Sequence, residues 1–163
     1  MMINTCSGFG FEQNIPVSLC LFSDEVKTMG GLSNIKSVNA AVSVLGAIHA
    51  IELGFDNAIL RNTKGNYIEA TNSSLFIVKD NVIYTPPLSD GCVDGTMRDW
   101  VLSNYKAIEK SLSLDDIMQS DEVFITNALT GITAVNGVEE IIFSDFNYAD
   151  ELQNKLISLS SDL

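Results

Sequence analysis

Positive charge is scarce in this 163-residue chain: nine lysines and arginines stand against 21 aspartates and glutamates, for a formal charge of −12. Only two of the nine are arginines, Arg61 and Arg98. So acidic a chain lacks the basic footprint of a protein that binds nucleic acid or an anionic membrane. Cysteine is scarce too. Cys6, Cys20 and Cys92 are widely spaced and odd in number, His49 stands alone, and neither CxxC nor HExxH occurs. That pattern argues against a disulfide framework and against a zinc site. The three prolines and eleven glycines form no linker, so a single domain over residues 1–163 is expected. The opening stretch MMINTCSGFG has neither the basic region nor the apolar run of a signal peptide. No apolar stretch approaches the roughly 20 residues of a membrane span. A cytoplasmic protein is the expectation. What the chain does have is core-forming material, with 46% hydrophobic and 18% charged residues, a folding composition rather than a disordered one.

Periodicity places the elements. Val17–Phe22 is an apolar run bounded by polar residues and predicts a strand. After a Gly30-Gly31 turn, Leu32–Ser37 is expected to be extended or looped. Asn39 is placed to cap a helix running to about Leu53, where Gly54 stops it. Val42, Leu45, Ile48 and His49 recur at helical spacing and would face a sheet. Strands follow at Ala58–Leu60 and Tyr67-Ile68 around a turn at residues 63–66. Leu75–Val78 and Val82–Tyr84 read as a hairpin about Asp80-Asn81, ended by Pro86-Pro87. A helix is predicted from Gly95 or Thr96 through Tyr105, and a short one at Leu114–Met118 capped by Ser113. Val123–Thr126, Ile132–Val135 and Val138–Phe143 read as strands, and Ala149–Leu159 as a closing amphipathic helix. The fold class is α/β (α+β), without a strict βαβ repeat.

Two residues and one short segment hold chemical interest. Lys36, just before a helix, is an ordinary turn lysine unless buried; desolvation would free its amine to attack a carbonyl. Glu69 is by itself an edge carboxylate, but a buried one could hold a pyridine nitrogen protonated. Gly95-Thr96-Met97-Arg98 opens a helix after a long loop, and bare amides there can bind a phosphate.

In combination and in order, these stretches resemble the class IV family of pyridoxal-phosphate enzymes. That family holds branched-chain and D-amino-acid aminotransferases and 4-amino-4-deoxychorismate lyase. The carrying segments are Asn34-Ile35-Lys36-Ser37-Val38-Asn39, Gly54–Leu60, Gly65-Asn66-Tyr67-Ile68-Glu69-Ala70 and Ser74–Asp80. They continue through Tyr84–Leu88, Gly91-Cys92-Val93-Asp94-Gly95-Thr96-Met97-Arg98 and Asp121–Leu129. The resemblance runs from about Leu32 to Val135. It implies the C-terminal domain of the D-amino-acid aminotransferase-like fold, with pyridoxal 5'-phosphate as cofactor. It makes Lys36 the Schiff-base lysine and proton carrier and pairs Glu69 with the pyridine nitrogen. The phosphate would fall to the amides of Thr96 and Met97 and the Thr96 hydroxyl, with Asn127 and Ala128 closing that end and flanking the substrate. As structural residues, Thr96 would be only an N-terminal helix residue and Asn127 only a turn former.

Departures from the family pattern tilt the choice of member. Many aminotransferases carry Thr at the positions of Met97 and near Ala128, so Met97-Arg98 and Asn127-Ala128-Leu129 look more like the aminodeoxychorismate lyase branch. Ser74 stands where Asn is common, and Ala40 where some transaminases have an aromatic. Family members also carry a smaller N-terminal domain, expected to be absent here, which contributes a phosphate-binding arginine; neither Arg61 nor Arg98 matches it. The expected activity is pyruvate elimination giving 4-aminobenzoate for folate synthesis. The alternatives are a class IV aminotransferase of branched-chain or D-amino acids, or an inactive relic or binding module. The expected partners are a small amino-acid-like substrate and a second copy of the chain in a homodimer.

Overall fold

The computed structural model describes residues 11–36 and 40–161. Nine strands and four helices follow one another in these residues. The strands are β1 (Val17–Lys27), β2 (Asn57–Asn62), β3 (Tyr67–Ala70), β4 (Ser74–Lys79), β5 (Val82–Thr85), β6 (Ile108–Glu109), β7 (Glu122–Asn127), β8 (Gly131–Val138) and β9 (Ile141–Ile142). The helices are α1 (Ala41–Leu53), α2 (Thr96–Asn104), α3 (Leu114–Met118) and α4 (Asn147–Ser161). The α/β expectation holds, and so do most of its elements.

The sheet closes on itself. Its order runs β3-β2-β1-β8-β7-β4, and β4 pairs back to β3 through Glu69 and Ser74. β5 and β6 extend from β4, and β9 pairs with β8. β1 is parallel to both β2 and β8, and the other pairings within the ring are antiparallel. Strand alternation sorts the apolar side chains into separate cores. Leu19, Ile59, Leu75, Ile77, Val123 and Val135 come from five strands and fill the ring. Their neighbours Phe76, Val78 and Phe124 pack outside with α2 and α4, while Cys20, Phe22, Ala58 and Leu60 pack outside under α1.

The hairpin turn at Asp80-Asn81 has φ of 50° and 61°, the left-handed pair that a two-residue turn needs. Gly54 ends α1 in the left-handed conformation as expected. Ser113 caps α3 with a reciprocal capping box to Asp116.

Four expectations need correction. The inward face of α1 is Gly46 and Ala50 with Val42 half-buried beside them, while Leu45 and Ile48 are 45% and 47% exposed. The helix lies so close to the sheet that a Cβ on Gly46 would come within 2.8 Å of the Leu60 side chain; small residues, not large ones, make this contact. The strand predicted at Val138–Phe143 is instead the end of β8, a turn with Glu139 at φ 51°, and the two residues of β9. The second helix ends at Asn104, and extended Tyr105 terminates it. β1 runs on to Lys27, five residues beyond the predicted end. Asn39, the predicted cap of α1, lies outside the described residues, as do Ser37 and Cys6. Among the described residues no helix is long and apolar enough to cross a membrane.

Candidate functional site

A cleft of about 840 Å³ opens where β1, β3 and β7 end and where α1 and α2 begin. Lys36, Glu69, Thr96, Met97, Asn127 and Ala128 all line it. Residues 92 positions apart in sequence thus share one concavity, which separate surface roles would not require.

Glu69 is the most constrained of the six. Being on β3, between β2 and β4, it is only 5% exposed. A buried carboxylate needs charged or hydrogen-bonding partners, and it has both. Oε2 accepts the Val93 N–H at 2.7 Å, and the Lys27 ammonium makes an ion pair with Oε1.

Lys36 is exposed at the cleft wall, so the burial expected to free its amine is not supplied by this domain alone. Asn34, two residues earlier, ties this loop to the next wall by donating from Nδ2 to the carbonyls of Leu88 and Cys92 at 2.8 and 2.7 Å. Asp94 N–H returns a bond to Asn34 O at 2.9 Å. Gly91 makes this packing possible: its φ is +93°, and a Cβ there would lie 3.0 Å from the Thr28 carbonyl oxygen.

Thr96 and Met97 are the first residues of α2, whose N-cap is Gly95, with no side-chain capping bond. The first amides of a helix lack intrahelical acceptors, and the helix end carries partial positive charge. Arg98, next in the motif, points elsewhere. It is 2% exposed, donates from Nη2 to Pro86 O at 2.9 Å and pairs with Glu109. Neither arginine lines the cleft; Arg61 donates to the Ser23 carbonyl.

At the far wall Asn127 is a turn former as well as a lining residue. Its Oδ1 accepts the N–H groups of Leu129 and Thr130, both at 2.9 Å. Its Nδ2 donates to Ser73 Oγ at 3.1 Å, and Ser73 donates to Asn72. Cys92 is no nucleophile: burial pushes its thiol up to about 11. Among the described residues no cluster of His, Cys, Asp and Glu could hold a metal.

Two lining residues escape sequence reasoning. Lys27 sits beyond the polar run Ser23-Asp24-Glu25, which carries no strand signal, so nothing marks it as the partner of Glu69. Thr126 reads as the last apolar-facing residue of a strand, yet its hydroxyl is buried with no hydrogen-bond partner and its residue lines the cleft.

A closed mixed sheet thus carries a cleft lined by a buried carboxylate, two lysines and an uncapped helix end, a set of groups able to meet both an anion and a cation. The sequence profile of amino-transferase class IV matches residues 10–138, and the chain belongs to that family. It is 33% identical over 134 residues to a provisionally named branched-chain-amino-acid aminotransferase of Methanocaldococcus jannaschii, covering 79% of this chain and 46% of that protein. It is 32% identical over 147 residues to the aminodeoxychorismate lyase of Vibrio harveyi, covering 82% and 54%. The solved structure of a provisionally assigned 4-amino-4-deoxychorismate lyase from Legionella pneumophila superposes with a TM-score of 0.83 at 30% identity, covering 91% of this chain and 57% of that one. The chain thus spans about half the length of the relatives it matches.

The class IV family is pyridoxal-phosphate-dependent, and the cleft's own chemistry fits that group. Glu69 can accept from a protonated ring nitrogen, the uncapped start of α2 can meet a phosphate, and the orphaned Thr126 hydroxyl has hydrogen-bonding capacity left for a ligand.

Proposed function

We propose that this domain supplies the cofactor half of a pyridoxal-phosphate enzyme whose reaction is that of an aminodeoxychorismate lyase, eliminating pyruvate to give 4-aminobenzoate. The observation that carries the reading is the convergence of Lys36, Glu69, Thr96, Met97, Asn127 and Ala128 on one cleft with Glu69 buried at its floor. Bound pyridoxal phosphate supplies a conjugated ring that takes up the electron pair left when a proton leaves the substrate carbon. Glu69 holds the ring nitrogen in its protonated form, because a buried carboxylate favours a cation beside it. Lys36, exposed on the cleft wall, would hold the cofactor at its aldehyde carbon, and its Nζ, once displaced there by the substrate amine, would accept and return the substrate proton. The amides of Thr96 and Met97 and the Thr96 hydroxyl bind the phosphate. Asn127 fixes the turn that carries Ala128 against the substrate.

Met97 and Ala128 support the lyase over the aminotransferase. Both line the cleft, and neither offers the hydroxyl that aminotransferases commonly place there. Similarity to a branched-chain-amino-acid aminotransferase keeps transamination as the second reading. The other half of the site, including a phosphate-binding arginine, comes on this reading from a further domain or chain. The protein is taken as cytoplasmic, in folate synthesis, and as a homodimer; the exposed Val44, Leu45, Ile48 and Ile51 on α1 are apolar surface that supports association.

The test is to add pyridoxal phosphate and record the visible spectrum of the protein and of Lys36→Ala. A bound-cofactor band that disappears in Lys36→Ala is expected. Absence of the band, or its survival in the variant, overturns the role of Lys36. Turnover of aminodeoxychorismate against that of an amino acid with 2-oxoglutarate then separates lyase from aminotransferase, and neither turnover with cofactor unbound leaves a binding module.

A further inference from the structure

Lys27 reaches the cleft by an irregularity in its strand. From Phe22 to Lys27, β1 advances five residues while its partner β2 advances two, from Leu60 to Asn62. Such a bulge bends a strand and re-aims the side chains beyond it. Here it delivers a lysine whose side chain is 15% exposed onto a carboxylate that is 6% exposed. Among the described residues no other cation pairs with Glu69. Oε2 accepts the Val93 amide and Oε1 is held by Lys27, so an incoming cation shares or displaces one of these partners, and the ammonium is the one carried on a flexible side chain.

We propose that Lys27 is a positioning residue that competes with the cofactor's ring nitrogen for Glu69 Oε1. The inference rests on the cofactor reading above and goes beyond it. Before the cofactor arrives, Lys27 keeps the buried carboxylate paired and aimed into the cleft, which an unpaired charge there would not tolerate. Binding then exchanges one cation for another at the same oxygen. A ligand with a protonated ring nitrogen can make that exchange; one of the same shape without it leaves the Lys27 pair in place and gains nothing at this end. Lys27 therefore lowers affinity while sharpening the preference for a basic heterocycle, as a competing group does in any discriminating site.

The probe is pyridoxamine phosphate, which has the ring nitrogen and the phosphate but no aldehyde, so its affinity reports this end of the cleft without the bond to Lys36. Dissociation constants are measured by calorimetric titration for the wild type, Lys27→Met, Lys27→Gln, Glu69→Gln and the Lys27→Met/Glu69→Gln double variant. Lys27→Met should bind about tenfold more tightly than wild type, equivalent to about 1.4 kcal/mol. Lys27→Gln, which keeps a hydrogen bond to Glu69 but no charge, should bind about threefold more tightly. In the Glu69→Gln background Lys27→Met should change affinity by less than about twofold, since the cycle isolates the pair. A lysine with a merely structural role would weaken binding when replaced, and in both backgrounds. If the wild type binds and neither single Lys27 variant binds more tightly, Lys27 is not a competitor and the cofactor reading stands. If no protein binds pyridoxamine phosphate, the cofactor reading itself fails. Should Lys27→Met not fold, Lys27→Gln alone decides by the same criterion.

Discussion

Replacing Thr126 by valine should strengthen the cofactor-free protein and weaken its hold on the cofactor. The hydroxyl of Thr126 is buried with no partner, on a residue 2% exposed. An unmet buried hydroxyl costs about 1–3 kcal/mol of desolvation. Valine has the same outline and suits a central strand, where Thr126 lies in register with Ser74 of β4 and Ile132 of β8. Urea unfolding of Thr126→Val should therefore show a gain of about 1 kcal/mol. For a domain of this size that corresponds to a rise of roughly 2–4 °C in Tm. Saturating pyridoxal phosphate stabilises whatever binds it in proportion to the logarithm of ligand over Kd. If the hydroxyl meets the cofactor, losing a bond of about 1 kcal/mol makes the variant's Kd about fivefold weaker. The two effects have opposite signs, which no general change in packing would produce. A variant less stable than wild type without cofactor, or with an unchanged Kd, refutes the assignment of that hydroxyl to the ligand.

Acid sensitivity should report on the capping box of α3. Burial raises the Asp116 carboxyl, but bonds from Lys110 and Ser113 outweigh it and bring it from 3.8 down to about 2. The pair's stabilisation is thus present above pH 3.8 and lost as pH falls through 2. Because Lys110 is half exposed, the contribution is about 1 kcal/mol or less. Asp116→Asn should show that loss by urea unfolding near neutrality and little of it near the lower limit; equal losses at both would sink the linkage. Gly91→Ala should cost about 1–2 kcal/mol, from a left-handed φ and a methyl pressed on the Thr28 carbonyl. It should also loosen pyridoxal-phosphate binding by moving the Val93 amide from Glu69; unaltered affinity would show that the loop adjusts independently of the carboxylate.

Local chemistry explains which parts of the molecule were readable. The Asp80-Asn81 hairpin, the Gly54 stop and the Ser113 cap each depend on a residue or two whose conformational preference dominates. The six candidate site residues are legible only through the resemblance of separated segments to the class IV family; taken singly, Lys36, Glu69 and Thr96 read as ordinary turn, edge and helix-start residues. Their meeting in one cleft needed the closed sheet, which no local period encodes. Leu45 and Ile48 misled because apolar spacing identifies a helix but not the face that a close sheet contact demands; Gly46 decides that face. Lys27 was invisible for a different reason. A bulge places it, and bulges leave no periodic trace in a polar run.

The closed ring also has an order of assembly. β2, β3 and β4 are joined by short turns, whereas β1 closes against β8 through pairs as distant as Val17 with Val135. Contacts so far apart in sequence form slowly, because a long loop must be ordered before they repay it. Until β8 has left the ribosome, one edge of β1 is an open template for other strands. Lys27 precedes Glu69 in the chain, so the carboxylate emerges with its cation already made, while Thr126, Asn127 and Ala128 come last. On the cofactor reading, capture by this cleft therefore waits for the residues that end β7, the last of its lining to be made.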